Sequence, residues 1–283
     1  MDSASSRGLE GVVDLLREWQ MLIERRRGVL EHQQLRVLPS SDWRALTATP
    51  NEREAMHIGL IVGIGPAATD VYYRSLIRRM AAASTDLELT MVHADTPTLL
   101  ANQASGNVEE QVEIYDRLTR RLQVAGARSV AVTSIAGHFC IDAFESTSVL
   151  PVIDLLSAVN AGVRDRGYRR VGLLGTREVM ASRFYGALGD IDVVAPLGPD
   201  LGAVHDAYVA MASTATCTQD QRRGFFDAGR AMVEEQGAEA VLLAGTDLAL
   251  AFHGFSPGFP VVDCAEAHVQ AIFEVAVRAE RTP

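Results

Sequence analysis

Several side chains that could carry out nucleophilic or acid–base chemistry follow the predicted strands of this chain. Ser134 ends a β-branched run, and His138 comes one helical turn later. Asp95, His93 and Asp247 lie at the ends of other runs. A serine, a histidine and a carboxylate are the residue types of an activated-serine or a general acid–base site. A serine and a histidine also occur often at this spacing by chance. The alternative for His138 is therefore a structural role, in which it caps a helix or satisfies backbone groups.

The cysteines and the missing lysines exclude several other chemistries. The three cysteines, Cys140, Cys217 and Cys264, form no CxxC pair, so the sequence predicts neither a zinc knuckle nor a disulfide framework. The histidines show no HxH or HExxH spacing, and we predict no metal site. All 26 basic residues are arginines, which rules out a Schiff-base lysine, a pyridoxal-phosphate anchor and a P-loop lysine.

Composition and charge narrow the classes of partner. With 48% hydrophobic and 22% charged residues, the chain is typical of a globular protein that folds on its own. Its net charge of -10 argues against nucleic acid as the main partner. The chain does not open with a basic segment followed by an apolar one, and no apolar run reaches the ~20 residues that span a bilayer. We therefore expect a cytoplasmic protein with no membrane segment.

Short β-branched runs alternate with amphipathic helical stretches from residue 57 onwards. This alternation is typical of a doubly wound α/β fold with parallel sheets. The predicted strands are 58–65, 87–94, 129–134 and 149–154, followed by 171–176, 191–196, 240–246 and 259–263. The predicted helices include 69–83, 108–126, 206–212 and 219–236.

Glycines recur at matching places in the two sets of strands. Gly59 lies in the first strand and Gly172 in its counterpart, while Gly126 and Gly237 each precede a later strand. The separation between Gly59 and Gly172 is nearly the same as that between Gly126 and Gly237, so the sequence predicts that the second half duplicates the first. Open α/β sheets bind ligands at the carboxyl ends of their strands, so the default site is a cleft between the two halves.

The chain divides into three predicted parts. Residues 1–55 form a helical extension and linker, residues 56–156 the first α/β domain, and residues 157–263 the second. The C-terminal helix, residues 264–283, joins the first domain. Apolar residues recur with helical spacing between residues 9 and 23. This helix packs on its own domain or on a second copy of the chain, or it docks another protein, or the arm is disordered.

The loop GIGPAAT, from Gly63 to Thr69, opens a predicted helix. Its backbone N–H groups could therefore hold an anion. It is not a dinucleotide fingerprint, because the third glycine of GxGxxG is missing and no acidic residue follows at the expected strand end. The alternative is an ordinary turn that binds nothing.

Five segments carry a family resemblance. They are HIGLIVGIGPAATDVYYRSL, GARSVAVTSIAGHF, RRVGLLGTREVMASRFY, GAEAVLLAGTDLAL and PVVDCAEAHVQA, and the resemblance covers roughly residues 57–277. In this order they resemble the aspartate/glutamate racemase family. The resemblance implies two pseudo-symmetric Rossmann-like (flavodoxin-like) domains with the site in the cleft between them. It also implies an enzyme that needs no cofactor, acts on a small carboxylate and often forms a homodimer.

The catalytic positions of that family hold other residues in this chain. Members of the family use two cysteines, one from each half, on opposite faces of the substrate's α-carbon. Cysteine suits this chemistry because neighbours can lower its pKa from about 8.5 into a useful range. The family pattern would put the cysteines at Ser134 and Gly245. A serine hydroxyl is a far weaker acid than a thiol and a glycine has no side chain, so the resemblance argues against the usual racemisation.

Polar residues of the family's cleft are retained at several positions, although Ile135 and Ala136 replace two others and make the predicted pocket less polar. We predict Ser134, His138 and Asp95 as catalytic residues. The predicted substrate-binding residues are Gly65, Pro66, Thr69, His93, Thr176, Gly245, Thr246 and Asp247.

Two functions follow as hypotheses. The first is an enzyme of racemase fold that performs another reaction, as a lyase, hydrolase, isomerase or cyclase, on a small carboxylate or carbonyl compound. The second is an inactive homologue that binds a small molecule or serves as a scaffold. A racemase activity that survives through Cys140 or Cys264 is a third possibility.

Overall fold

Two parallel β-sheets form the framework of the computed structural model, which describes residues 56–63 and 65–281. The first sheet contains β1 (His57–Val62), β2 (Glu88–His93) and β3 (Ser129–Val132), in the order β2–β1–β3. The second contains β4 (Arg170–Gly175), β5 (Asp192–Val194), β6 (Ala240–Ala244) and β7 (Val261–Asp263), in the order β5–β4–β6–β7. The predicted α/β fold is thus confirmed. The helix predicted over residues 9–23 lies outside the described residues.

Helices connect the strands and cover the sheets. The first of them are α1 (Pro66–Ala83), α2 (Thr96–Ser105), α3 (Val108–Val124), α4 (Ile141–Thr147) and α5 (Leu155–Asp165). They are followed by α6 (Arg177–Ala181), α7 (Pro199–Thr214), α8 (Gln219–Glu234), α9 (Ala249–Phe252) and α10 (Cys264–Arg281). Within the described ranges, no helix has both the length and the apolar character needed to cross a membrane.

The central strands are buried, which explains their continuous apolar runs. Every residue of β3 and β6 is buried, and so is every residue of β1 and β4 after the first. Parallel strands with helices on both faces carry apolar side chains in both directions, rather than the alternation of a half-exposed strand. The edge strands β2, β5 and β7 are only partly buried.

The recurring glycines occupy equivalent places in the two sheets. A Cβ at Gly59 in β1 would lie 2.9 Å from Leu122 Cδ1, and a Cβ at Gly172 in β4 would lie 2.9 Å from Met232 Sδ. Leu122 lies on α3 and Met232 on α8, the helices that lead into β3 and β6. In both halves a glycine in the central strand therefore lets a helix approach the sheet closely.

The segment 149–154 does not form the predicted strand. It makes a single bridge, between Val130 and Val152. Val130 N donates to Pro151 O at 2.9 Å, and Ile153 N donates to Val130 O at 2.8 Å. Because Pro151 has no N–H to donate, the ladder cannot extend from this bridge towards residue 149.

Two helices begin earlier than predicted. α1 begins at Pro66 rather than at residue 69, and α7 begins at Pro199 rather than at residue 206. Proline suits the first turn of a helix, because the N–H that it lacks would have no partner within the helix there. Pro66 and Pro199 are thus the first residues of these helices.

The C-terminal helix α10 packs on the first sheet, where its apolar side chains share a core cluster with those of β1 and α1. His268 Nε2 donates to Ile153 O at 2.7 Å, and His268 Nδ1 accepts a hydrogen bond from the Tyr72 hydroxyl at 2.8 Å. Burial lowers the pKa of His268 to about 3, so its ring is neutral. The predicted domain boundaries stay predictions.

A turn of the second half, with three residues in the left-handed backbone conformation, is hydrogen-bonded to the first half. Arg183, Phe184 and Tyr185 all have positive φ, between 53° and 60°. Each costs on the order of 1 kcal/mol for a residue with a side chain. Gln103 Nε2 donates both to the Tyr185 hydroxyl, at 2.8 Å, and to Ala136 O, at 3.0 Å. The strained turn thereby holds the backbone that follows β3.

A pair of glycine substitutions tests how tightly the second sheet is packed. A Cβ at Gly175 would collide with the Ala244 carbonyl of β6, whereas a Cβ at Gly224, in α8, would meet no atom within 4 Å. We expect Gly175→Ala to lower the free energy of unfolding by about 1–3 kcal/mol. Gly224→Ala should raise it by up to about 1 kcal/mol, because alanine favours a helix.

Urea denaturation followed by circular dichroism measures both free energies of unfolding. Equal stability of Gly175→Ala and the parent chain would contradict the close approach of β4 and β6.

Candidate active site

A cavity of about 290 Å³ lies where the carboxyl ends of the two sheets meet. The first half contributes Gly65, Thr96, Pro97, Leu100, Ser134 and Ala136. The second half contributes Thr176, Tyr208, Val209, Ala212, Ser213 and Asp247. Parallel α/β sheets bind ligands at this edge, since the loops that follow the strands converge there. Four of the predicted site residues, Gly65, Ser134, Thr176 and Asp247, line the cavity.

Asp247 is the ionisable carboxyl group of the cavity. It lies in the turn after β6, and only 2% of its surface is exposed. Its Oδ1 accepts a hydrogen bond from Ala68 N at 3.1 Å, and its Oδ2 accepts one from the Tyr208 hydroxyl at 3.3 Å. Burial raises the pKa of Asp247 to about 6, although both hydrogen bonds act in the opposite direction. The group can therefore gain or lose a proton near neutral pH.

The start of α1 already holds a carboxyl group of the protein itself. Ala68 lies in the first turn of α1, where backbone N–H groups have no partner within the helix. Gly65, with φ of 96°, lies so close to Asp247 that a Cβ would overlap its carboxyl oxygens. The anion-holding loop predicted from GIGPAAT thus contacts Asp247. Pro66 begins the helix.

Tyr208 fills the space in front of Gly245. A Cβ at Gly245 would collide with the Tyr208 ring and would lie 2.9 Å from its hydroxyl oxygen. The backbone of Gly245 is extended, with φ of -159°, so the obstacle to a side chain is the ring and not the backbone conformation. Burial keeps the pKa of Tyr208 well above its ordinary value, and the phenol remains a hydrogen-bond donor.

His138 does not activate Ser134 in this structure, contrary to the predicted catalytic pair. His138 Nδ1 lies 2.6 Å from the Ser134 carbonyl oxygen, which can only accept, so Nδ1 carries the proton. Nε2 points the other way, to 3.7 Å from Asp154 Oδ1, and has no hydrogen-bond partner among the described residues. Burial lowers the pKa of His138, which leaves its ring neutral. The histidine satisfies a backbone group, as in the alternative interpretation.

Asp95 and His93 also lie outside the cavity lining. The Asp95 carboxylate caps α2, where it accepts hydrogen bonds from Thr98 N at 3.0 Å and Thr98 Oγ1 at 2.6 Å. These two bonds lower the pKa of Asp95, so it is a poor proton acceptor. His93 is exposed at the end of β2, beside Gly63. In this structure Asp95 thus caps α2 and does not line the cavity.

The three predicted threonines have different places. Thr176 lines the cavity and caps α6 through a bond from Val179 N at 3.4 Å. Thr69 donates its hydroxyl back to the Gly65 carbonyl at 3.4 Å, and Thr246 is buried in the turn after β6 without lining the cavity. Of the three, Thr176 is the one positioned to meet a ligand.

Sequence reasoning missed the contribution of two helices. α2 supplies Thr96, Pro97 and Leu100, and α7 supplies Tyr208 among others. The predicted site residues all lie at or after the ends of strands, and a tyrosine inside a helix belongs to no motif. The duplicated pattern contains the available signal, because α2 follows β2 as α7 follows β5 and both helices therefore reach the same cleft.

No cysteine lines this cavity among the described residues. Cys140 is buried and its pKa is raised to about 12, and burial also raises the pKa of Cys264. Burial raises the pKa of the half-buried Cys217 as well. Within residues 56–63 and 65–281, no group of three His, Cys, Asp or Glu side chains is placed to hold a metal ion.

Comparison with known proteins identifies relatives of the chain. The sequence model of the Asp/Glu/hydantoin racemase family matches residues 61–272. A candidate Asp/Glu racemase from Yersinia pestis and an aspartate racemase homologue from Pyrococcus horikoshii are each 24% identical to the chain, with TM-scores of 0.68 and 0.67. Each alignment covers 78% of this chain, and 98% and 99% of theirs. The aspartate racemase of Picrophilus torridus is 20% identical over 78% of this chain and 94% of its own, with a TM-score of 0.63.

A double-mutant cycle tests the packing of Tyr208 on Gly245. Gly245→Ala should lower the free energy of unfolding by about 1–3 kcal/mol, because the new methyl group collides with the ring. In a Tyr208→Ala background the same substitution should cost much less. Chemical denaturation of the parent, both single variants and the double variant gives the coupling energy. Additive effects of the two substitutions would contradict the direct contact.

The raised pKa of Asp247 predicts how stability depends on pH. Its pKa is about 6 in the folded chain, against 3.8 ordinarily, so its contribution to stability is fully present below pH 3.8 and is lost as the pH rises through about 6. Asp247→Asn removes this ionisation and can still accept the Ala68 hydrogen bond. We expect it to be more stable than the parent at pH 7.5, by up to roughly 3 kcal/mol, and to lose this advantage near pH 4.

Thermal unfolding at the two pH values measures this difference. If Asp247→Asn is less stable than the parent at pH 7.5, burial does not disfavour the ionised form of Asp247.

Proposed function

The chain belongs to the Asp/Glu/hydantoin racemase family, and we propose that it is an enzyme of this fold in which Asp247, oriented by Tyr208, takes a proton from a small carbonyl or carboxylate compound and returns it. One observation carries the proposal. A carboxyl group with a pKa of about 6 lies in the cavity between the two halves and is hydrogen-bonded to a phenol. A general base works best when its pKa lies near the working pH.

The hydrogen bonds of Asp247 suit one of its oxygens to receive a proton. Ala68 N occupies Oδ1, so the more basic position is Oδ2, whose partner is the Tyr208 hydroxyl at 3.3 Å. In the proposed step, the C–H bond next to a substrate carbonyl breaks and its proton moves to Oδ2. The electron pair moves onto the carbonyl oxygen, giving an enolate. Return of the proton to carbon completes an isomerisation or an exchange, and Tyr208 keeps the carboxyl group oriented.

Hydroxyl groups of the cavity can stabilise the charge on the substrate oxygen. Ser134 lies in the backbone segment after β3 and Thr176 in the segment after β4, and both line the cavity. Each hydroxyl can donate one hydrogen bond to a developing oxyanion. Ser134 serves here as a donor, which does not need activation by His138.

We expect solvent exchange on a bound compound to report this chemistry. Small carboxylic, keto and amino acids are first screened for binding by thermal shift, and each binder is then incubated with the enzyme in D2O. Loss of the proton NMR signal next to the carbonyl group measures the exchange rate. Asp247→Asn should reduce this rate at least 100-fold, as expected for a lost general base, and Tyr208→Phe should reduce it less.

Asp95→Asn is the matched control, because it makes the same substitution at a helix cap outside the cavity lining. Asp95→Asn should keep the parent rate of exchange. In both proteins this rate should rise with pH through about 6 and then level off, because Asp247 ionises in that range. Binding without exchange would reject the enzyme proposal and favour the alternative of a binding protein. Equal loss in Asp95→Asn and Asp247→Asn would reject the assignment of the base.

The homodimer, the cytoplasmic location and the docking role of residues 9–23 also stay proposals. They are supported by the resemblance to the family and by the amphipathic pattern of the extension.

A further inference from the structure

The cavity has an apolar wall that the proposed proton transfer does not use. Pro97 and Leu100 of α2 and Val209 and Ala212 of α7 line it. Leu100 and Val209 are each 37% exposed, although both are large apolar side chains. Apolar side chains that line a cavity and remain open to solvent lose their contact with water when a ligand covers them. The wall therefore favours a ligand with an apolar part.

The charges in the cavity point in the same direction. No arginine or histidine lines it among the described residues, and the whole chain has no lysine. Its polar lining consists of the Asp247 carboxyl group, the Tyr208 phenol and the hydroxyl groups of serines and threonines. A ligand with two carboxylates would bring two negative charges to a buried carboxyl group without a cation to balance them, and unbalanced buried charge is costly.

We propose that this cavity selects a compound with one polar end and an apolar substituent, which contacts Leu100 and Val209, and that it rejects dicarboxylic acids. The inference rests on the proposed function, because the polar end is taken to lie at Asp247 and Tyr208. A volume of about 290 Å³ is at the small end for ligand sites, and it suits a branched aliphatic group or a single aromatic ring. The substrate class is thus that of small monocarboxylic or uncharged carbonyl compounds.

Matched ligands and matched variants test the proposal. Phenylacetate and 3-methylbutanoate represent the apolar monocarboxylates, their primary amides the uncharged compounds, and succinate and aspartate the dicarboxylates. Dissociation constants are measured by isothermal titration calorimetry or ligand-observed NMR at pH 5.5, where part of Asp247 is protonated. We expect at least one apolar compound to bind tenfold or more tightly than either dicarboxylate.

Leu100→Ala and Val209→Ala should each weaken binding of that compound about three- to tenfold, because each removes apolar contact area. Both side chains are partly exposed, so neither substitution should unfold the protein. Leu197→Ala is the control, since Leu197 is 65% exposed and does not line the cavity. It should bind the compound as tightly as the parent does.

The outcomes separate this inference from the proposed function. Apolar compounds that bind with the expected effects of Leu100→Ala and Val209→Ala, but show no solvent exchange, would support the specificity and reject the proton-transfer chemistry. Dicarboxylates that bind as tightly as the apolar compounds would overturn the specificity, whether or not exchange occurs. Unchanged binding in both alanine variants would overturn it as well.

Discussion

The hydrogen bond from Ala68 N to Asp247 joins the two halves of the fold beside the cavity. The two residues are 179 positions apart in sequence, and the bond is buried. A helix N-terminus offers unpaired N–H groups, and a buried carboxyl group needs partners, so each supplies what the other lacks. Much of the local geometry depends on this contact. Gly65 must lack a side chain beside the carboxyl group, and Tyr208 is placed to satisfy its second oxygen.

The proposed base differs from the pair of cysteines that the family resemblance implies. A pair of thiols supplies one group on each face of a substrate, whereas this cavity contains one ionisable carboxyl group and several hydroxyl groups among its described lining. Burial moves the pKa of Asp247 towards neutrality, which is the range in which a thiol would also work. The proposed reaction thus takes place largely on one side of the ligand, at the second half of the chain.

The fold could be predicted in detail, because long apolar runs and repeated glycines depend on local packing. The one predicted strand that does not form is 149–154, where Pro151 interrupts the ladder. The proline itself is visible in the sequence, but the hydrophobic pattern of the segment is that of a strand. The site was harder to predict. Ser134 and Asp247 follow strands and could be located from the topology, whereas the direction in which His138 points depends on which nitrogen finds a partner. Tyr208 reaches the cavity through the packing of α7, and no spacing in the sequence reports such a contact.

The packing of Tyr208 against Gly245 also restricts the order in which this site can change over evolutionary time. A cysteine at position 245 would meet the aromatic ring, so a first step that removes or displaces Tyr208 has to precede a thiol at this position. That first step removes a hydrogen bond from Asp247 before any thiol is present. The intermediate would have neither the hydrogen bond between the carboxyl group and the phenol nor a side chain at position 245, so the two arrangements of the site cannot replace each other in a single substitution.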